Sequence, residues 1–222
     1  MLKILQVKKY RYIKFFLLLI SSAIAVTINF STITATPGLE IVAQFSLNNP
    51  PGNIAVTPQG KIILSQHQFF GSPLKVLELL PNGKTKPFPS KTWNKQLNPT
   101  KIGLHNVLGL RADKNGIVWL LDNSPAEGQP GKILAWDTIQ DRLHRIIYLP
   151  ATVMVKNSLL NDLAVDLDHN AIYITDTAPG ETSALIVVDL KTGFARRVLQ
   201  GDKSTIAEDI PMVIDGKIIK LG

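Results

Sequence analysis

The sequence predicts an all-β protein built from repeated four-stranded units, a β-propeller. Three observations carry this prediction. Pairs of hairpins recur along the chain, the recurrence has a period of about 50 residues, and no long stretch after residue 35 shows the 3.6-residue apolar period of a helix. Four short strands per unit of this length are typical of propeller blades.

Each unit begins with an apolar strand, a polar turn that contains Gly or Asn, and a second apolar strand. The turns Asn115-Gly116 and His169-Asn170 tolerate positive φ. Asp122 and Asp176, which end two of the second strands, lie 54 residues apart. The three copies of this first hairpin span residues 54–65, 110–122 and 163–176.

A second hairpin follows each first one and completes the unit. Its strands are predicted at residues 75–80 before the turn Pro81-Asn82-Gly83, at 132–137 with 143–149, and at 185–189 with 196–199. A fourth unit is predicted to begin at residues 212–221, around Asp215-Gly216. Aromatic side chains are expected in the core between blades, with two of them at equivalent places in second strands. They are Trp93, Trp119, Trp136 and Tyr173, of which Trp119 and Tyr173 are the equivalent pair.

The number of units is smaller than a closed ring needs. Six blades of this size need roughly 320 residues, whereas 187 residues follow residue 35. About three blades are therefore expected, and a half ring leaves sheet faces and edges uncovered. This predicts the N-terminal part of a truncated larger propeller, and the alternative is a homodimer that completes the ring.

The N-terminus has the pattern of an export signal. Five basic residues and no acid occur in residues 1–35, an apolar block begins at Phe15, and Ala23-Ile24-Ala25 and Thr34-Ala35 are candidate cleavage sites. The apolar stretch 15–30 is shorter than the ~20 residues of a spanning helix. We therefore predict that residues 1–35 are a signal peptide and that the protein is secreted or periplasmic. The alternative is that residues 1–35 are an uncleaved N-terminal anchor, and we expect contact with a membrane only in that case.

Composition excludes several classes. The formal net charge is +7, but residues 1–35 hold +5 of it. The remaining +2 on a body without a basic stripe is a poor basis for binding nucleic acid. The chain has no cysteine, hence no disulfide and no thiolate chemistry. Motifs of serine hydrolases, zinc proteases, phosphate loops and Rossmann folds are absent from the sequence.

Polar residues recur where first strands begin and second strands end, which is the same end of each hairpin. First strands line the channel of a propeller, so these residues are expected at one mouth of it, the default ligand site. Asn and Asp oxygens suit Ca²⁺, and His67 and His105 are candidate general bases. For Asp122 and Asp176 a purely structural strand-end role stays open, while Asp113, Asp166, Asp168 and Asp189 are expected to form turns. The predicted site residues are Asn53, His67, His105, Asn106, Asp122, Asn161, Asp162 and Asp176.

Residues 36–222 resemble the N-terminal half of the major royal jelly protein/Yellow family. The stretches that carry the resemblance are 107–122, 161–176 and 187–199, in matching order and spacing. The resemblance implies an exported six-bladed propeller. Its bacterial members are described as related to L-dopachrome tautomerase, and other members bind small amines or act in cuticle and pigmentation. This chain departs from the family in lacking cysteines and the C-terminal blades.

A weaker likeness extends to gluconolactonase-like propellers, in which an Asn at the start of an inner strand helps hold a divalent metal. Asn161 occupies the matching place, so the resemblance implies a metal role for it. Three functions are expected as alternatives. The first is binding of a small amine or aromatic ligand at the channel mouth, the second is an L-dopachrome tautomerase-like isomerase or metal-dependent lactonase, and the third is a non-functional truncated remnant.

Overall fold

The computed structural model describes residues 2–7, 38–94, 103–123, 130–208 and 210–219. The chain divides into two compact units, Met1–Ser46 and Leu47–Gly222. In the first unit, β1 (Leu2–Val7) pairs antiparallel with β2 (Leu39–Phe45). The apolar block 15–30 of the predicted export signal lies outside the described residues. No helix within the described ranges is long and apolar enough to cross a membrane.

The second unit contains three four-stranded antiparallel sheets, each built from strands consecutive in sequence. This confirms the predicted propeller blades and both hairpins of each. The first blade is β3 (Pro51–Val56), β4 (Ile62–Gln66), β5 (Val76–Leu79) and β6 (Thr85–Pro87). The second is β7 (Asn106–Ala112), β8 (Ile117–Asn123), β9 (Gly131–Asp137) and β10 (Arg142–Leu149). The third is β11 (Leu160–Asp166), β12 (Ala171–Asp176), β13 (Ala184–Asp189) and β14 (Ala195–Val198).

The predicted fourth unit is present as a hairpin of β15 (Met212–Ile214) and β16 (Lys217–Ile219), which turns at Asp215 and Gly216 with φ of 50° and 74°. Helices are short. They comprise α1 (Lys91–Asn94) and 3₁₀ turns at Gln68–Phe70 and Gly180–Thr182 within the described ranges.

Aspartates close the hairpin turns, as the sequence predicts. Asp113 Oδ1 accepts hydrogen bonds from the main-chain N–H groups of Asn115 (2.9 Å) and Ile117 (3.0 Å). Asp189 Oδ1 accepts equivalent bonds from Lys191 and Thr192. These local bonds fix the turn and hence the register of the hairpin it joins. Asp166 serves the same way through the N–H of His169, and Asp168 in that turn pairs with Lys114 on the neighbouring blade.

Apolar side chains pack the blades face to face. Trp119 is buried between the second and third blades, and Trp136 is buried between the first and second. Trp93 packs edge-on against Trp136 with ring centroids 5.8 Å apart. Tyr173 alternates with the buried Ile172 and Ile174 and is half-buried on the other face of its sheet. The core expectation is therefore confirmed for Trp119 and Trp136, whereas Trp93 and Tyr173 are only half-buried.

The inner strands of the blades lie side by side, with β7 between β3 and β11. The approach of β7 to β11 requires a glycine. A Cβ atom on Gly109 would lie 2.8 Å from Asp162 Cα and 2.9 Å from Asn161 O. Both are main-chain atoms, so the neighbour cannot move aside without shifting a strand.

Gly109→Ala is expected to lower the free energy of unfolding by roughly 1–3 kcal/mol, the usual cost of overpacking. Urea denaturation of the full chain measures this. Ala164→Ser on the exposed position of β11 is the control and should change the midpoint little. An unaltered midpoint in Gly109→Ala would show that β7 and β11 do not approach as described.

Candidate functional site

Three polar residues from the inner strands of three different blades meet at the propeller axis. Asn53 Nδ2 donates to Asp162 Oδ1 (3.1 Å), and Arg111 Nη2 donates to Asp162 Oδ2 (2.6 Å). Arg111 Nη1 donates to Asn53 Oδ1 (3.3 Å). The side chains of Arg111 and Asp162 are 42% and 37% exposed. We call Asn53, Arg111 and Asp162 the axis cluster.

The local structure explains why these side chains meet. Each inner strand has a register shift at this point. Asn53 and Gly109 directly precede the residue at which regular pairing with the second strand resumes, and Asp162 is itself that residue in β11. Such bulges re-aim side chains. Gly109 lies in the middle blade, and a Cβ there would come 3.0 Å from Asp162 Oδ1. The missing side chain of Gly109 therefore leaves room for Asn53 and Asp162 to touch.

A second group is buried at the end of the second blade. Asp122 Oδ2 lies 2.6 Å from Lys132 Nζ, and both side chains are almost inaccessible to solvent. Asp122 Oδ1 also accepts the main-chain N–H groups of His105 (3.1 Å) and Asn106 (2.7 Å). The Nδ1 atom of His105 lies 3.3 Å from Lys132 Nζ, while its Nε2 is buried with no hydrogen-bond partner among the described residues.

The electrostatics of this group keep Asp122 ionised. Burial on its own raises the pKa of a carboxyl. The hydrogen bond from His105 and the charge of Lys132 oppose it, and together with the N–H of Asn106 they bring the pKa of Asp122 below its ordinary value of 3.8. The group is thus a buried, neutralised ion pair.

The third blade repeats the arrangement with a different cation. Asp176 Oδ2 accepts from Arg197 Nη1 (2.6 Å) and from Ser158 Oγ (2.6 Å). Its Oδ1 accepts from the N–H of Leu159 (2.8 Å), the residue before β11. Arg197 also donates to the carbonyls of Val153 and Thr182. This carboxylate is fully occupied by structural partners.

His67 and Asn161 are the two predicted residues that belong to none of these groups. His67 caps the Gln68–Phe70 turn, where its Nδ1 accepts from the N–H of Phe69 (3.4 Å) and its ring contacts those of Phe69 and Phe70. Asn161 is exposed next to the axis cluster. The eight predicted residues therefore occupy one end of the hairpins but do not form one site. They separate into members of the axis cluster, members of the two buried ion-pair groups, the His67 cap and the exposed Asn161.

Sequence reasoning missed the cations that complete these groups, namely Arg111, Lys132 and Arg197. A usable signal existed for one of them. Arg111 is the only basic residue in the first strands of the three hairpin copies, and such strands line the axis. Lys132 and Arg197 stand on β9 and β14, which gave no reason to pair them with Asp122 or Asp176.

The side chains of these three groups can be compared with what a metal site needs. No cluster of three or more His, Cys, Asp or Glu side chains with metal-binding geometry occurs within the described ranges. The carboxylate nearest Asn161 is that of Asp162, which Arg111 already neutralises. A metal role of Asn161 stays a prediction. The axis cluster instead offers a half-exposed carboxylate beside a half-exposed guanidinium.

Residues 106–221 match the major royal jelly protein family. No curated protein sequence matches the chain. Among solved structures, the extracellular domain of a hybrid two-component system from B. thetaiotaomicron is similar at 14% identity and a TM-score of 0.47, over 73% of this chain and 19% of that one.

Two further structures are similar at lower TM-scores. Hydrazine synthase of Kuenenia stuttgartiensis has 16% identity and a TM-score of 0.41, over 67% of this chain and 37% of that one. Virginiamycin B lyase of Staphylococcus aureus has 15% identity and a TM-score of 0.37, over 75% and 59%. The chain thus spans less than two thirds of the length of each of these three structures.

Asp122→Asn is expected to destabilise the protein by about 3–5 kcal/mol at neutral pH, because it leaves Lys132 buried without a counter-charge. Thermal unfolding measures the difference. Asp168→Asn is the control, since Asp168 pairs with Lys114 at the surface, and it should melt like the wild type.

The difference in stability between the wild type and Asp122→Asn also tests the pKa of Asp122. A carboxyl whose pKa is lower in the folded than in the unfolded state contributes its full amount to the free energy of unfolding at a pH above the unfolded-state pKa, here 3.8. This contribution is lost as the pH falls through the folded-state pKa. The difference in melting temperature between the wild type and Asp122→Asn should therefore become smaller below pH 3.8. A difference that is absent at neutral pH, or constant down to the acid range, would contradict a buried, ionised Asp122.

Proposed function

The chain belongs to the major royal jelly protein family, and from this premise we propose that it binds a small aromatic amine at the axis cluster. The observation that carries the proposal is the axis cluster, in which three blades place a half-exposed carboxylate and a half-exposed guanidinium side by side. A ligand ammonium would bind Asp162, and an aromatic ring would stack on the guanidinium of Arg111.

Energetics favour this cluster over the two buried ion pairs as the ligand site. An exposed ion pair such as Arg111–Asp162 contributes only about 0–1 kcal/mol. A ligand ammonium can therefore share or replace the contact at small cost. Removing one partner from a buried pair such as Asp122–Lys132 costs about 3–5 kcal/mol. A ligand that competed for Asp122 or Asp176 would have to supply that energy first.

An enzymatic function is the alternative, and its candidate residue lies at the same end of the hairpins as the axis cluster. The buried Nε2 of His105, which has no partner among the described residues, is the observation that favours acid–base chemistry such as a tautomerase would need. Chemical conversion of the ligand during the binding experiment below would distinguish an enzyme from a protein that only binds the ligand. Turnover that a chelator abolishes would indicate a metal-dependent lactonase.

Isothermal titration with phenethylamine is expected to show one site, and Asp162→Asn should weaken binding about tenfold through loss of a charged hydrogen bond. Asp168→Asn keeps the net-charge change but lies away from the axis, so its affinity should equal that of the wild type. 2-Phenylethanol, which keeps the ring but lacks the ammonium, should bind more weakly. Equal or stronger binding of 2-phenylethanol, or an unaltered affinity in Asp162→Asn, would overturn an amine site at the axis cluster.

We also propose that the protein is exported through residues 1–35. The basic start, the apolar block and the two small-residue sites support this. Cleavage at either site would remove β1, whereas an uncleaved anchor would keep it. Mass spectrometry of the exported fraction should find a new N-terminus directly after Ala25 or Ala35. An intact N-terminus on protein retained inside the cell would contradict export.

A further inference from the structure

A cleft of about 530 Å³ lies between the second and third blades, at the hairpin-turn end. Its polar lining comes from the turns of both blades and from β10. Its apolar part is formed by Ile117, Trp119, Ile139, Leu167 and Leu190. The volume falls in the range of small-molecule sites. The cleft lies at the other end of β11 from Asp162, so it is separate from the axis cluster.

A bulge in β10 aims basic side chains into this cleft. Arg142 is paired with Asp137 and Arg145 with Ala135, and the register shifts between Leu143 and Arg145. The extra residue, His144, stands edge-on to Trp119 with ring centroids 6.1 Å apart. As a result Arg142, His144 and Arg145 all line the cleft. Bulges that re-aim side chains are common beside functional sites.

The two carboxylates of the cleft are already engaged by their own turns. Asp113 accepts two main-chain N–H groups on Oδ1 and the indole N–H of Trp119 on Oδ2 (2.9 Å). Asp137 Oδ1 accepts the N–H groups of Ile139 and Gln140, both at 2.9 Å. Those bonds, with the nearby charges of Arg142 and His144, lower the pKa of Asp137 despite a small opposing effect of desolvation. Both carboxylates are therefore fixed in place by hydrogen bonds, and the lowered pKa keeps Asp137 ionised.

The basic groups keep free hydrogen-bond donors. The side chain of Arg142 is exposed and makes no hydrogen bond within the described ranges, although its charge acts on Asp137. Arg145 donates one N–H to the carbonyl of Leu190, which leaves other guanidinium N–H groups available. The cleft thus holds guanidinium N–H groups that no acceptor of the described residues occupies.

We propose that this cleft binds a small anion through a carboxylate or phosphate group, which the guanidinium groups of Arg142 and Arg145 hold and the ring N–H of His144 assists. Two N–H groups of one guanidinium match two oxygens of such a group. The side-chain amides of Asn115 and Asn170 lie at the rim for further polar contacts. The apolar wall of Ile117, Trp119, Ile139, Leu167 and Leu190 suits the carbon skeleton of the ligand.

Isothermal titration of the full chain with inorganic phosphate and, separately, with succinate tests the proposal. One site is expected for at least one probe, and Arg142→Gln should weaken it about tenfold, the effect of losing a charge-assisted hydrogen bond. Arg142 is exposed and unbonded, so this variant should melt like the wild type. Arg196→Gln, an exposed arginine on β14, removes the same charge elsewhere and should bind like the wild type.

The outcomes separate clearly. Preference for phosphate or for succinate assigns the anionic group. Equal loss of affinity in Arg142→Gln and Arg196→Gln would mean that only net charge matters, and it would overturn the site. Absence of binding by both probes would overturn it as well. The cleft and the axis cluster share no residue, so failure here does not bear on the axis cluster.

Discussion

The buried carboxylate that ends the second strand of a blade is the interaction on which the rest of this structure depends. Asp122 and Asp176 each accept a main-chain N–H from the residues at which the inner strand begins. Desolvating such a charge costs several kcal/mol, so each needs a cation. Lys132 and Arg197 supply it. The start of the inner strand is thereby fixed, and with it the bulge that positions the axis residues.

Much of the fold could be predicted because its signals are local. The alternation of apolar residues and the turn residues between them determine each hairpin, and Asp113 and Asp189 close their turns through residues two to four positions away. The cations of the site could not be found in this way. Arg111 meets Asp162 from the neighbouring blade, a contact set by how the blades pack. Arg197 reaches Asp176 across its own sheet from β14.

The predicted site residues lie at one end of their hairpins, but their side chains differ in exposure. Asp162 is 37% exposed and pairs with Arg111 of the neighbouring blade, whereas Asp122 and Asp176 are buried. Chain position at a strand end therefore could not distinguish a ligand-facing carboxylate from a structural one. Exposure distinguishes them, and exposure depends on the neighbouring blade.

The first blade shows what happens when the carboxylate is missing. Gln66 pairs with the main chain of Lys75 as Asp122 pairs with Lys132, so the two blades share a ladder position. Gln66 is 1% exposed, and neither of its amide atoms has a partner among the described residues. Lys75 Nζ donates to the carbonyl of Ser72 instead (3.0 Å). An unpaired buried amide costs about 1–3 kcal/mol, less than a buried carboxylate whose cation has turned away. The neutral side chain is therefore the one that this blade can bury, because its lysine is held elsewhere.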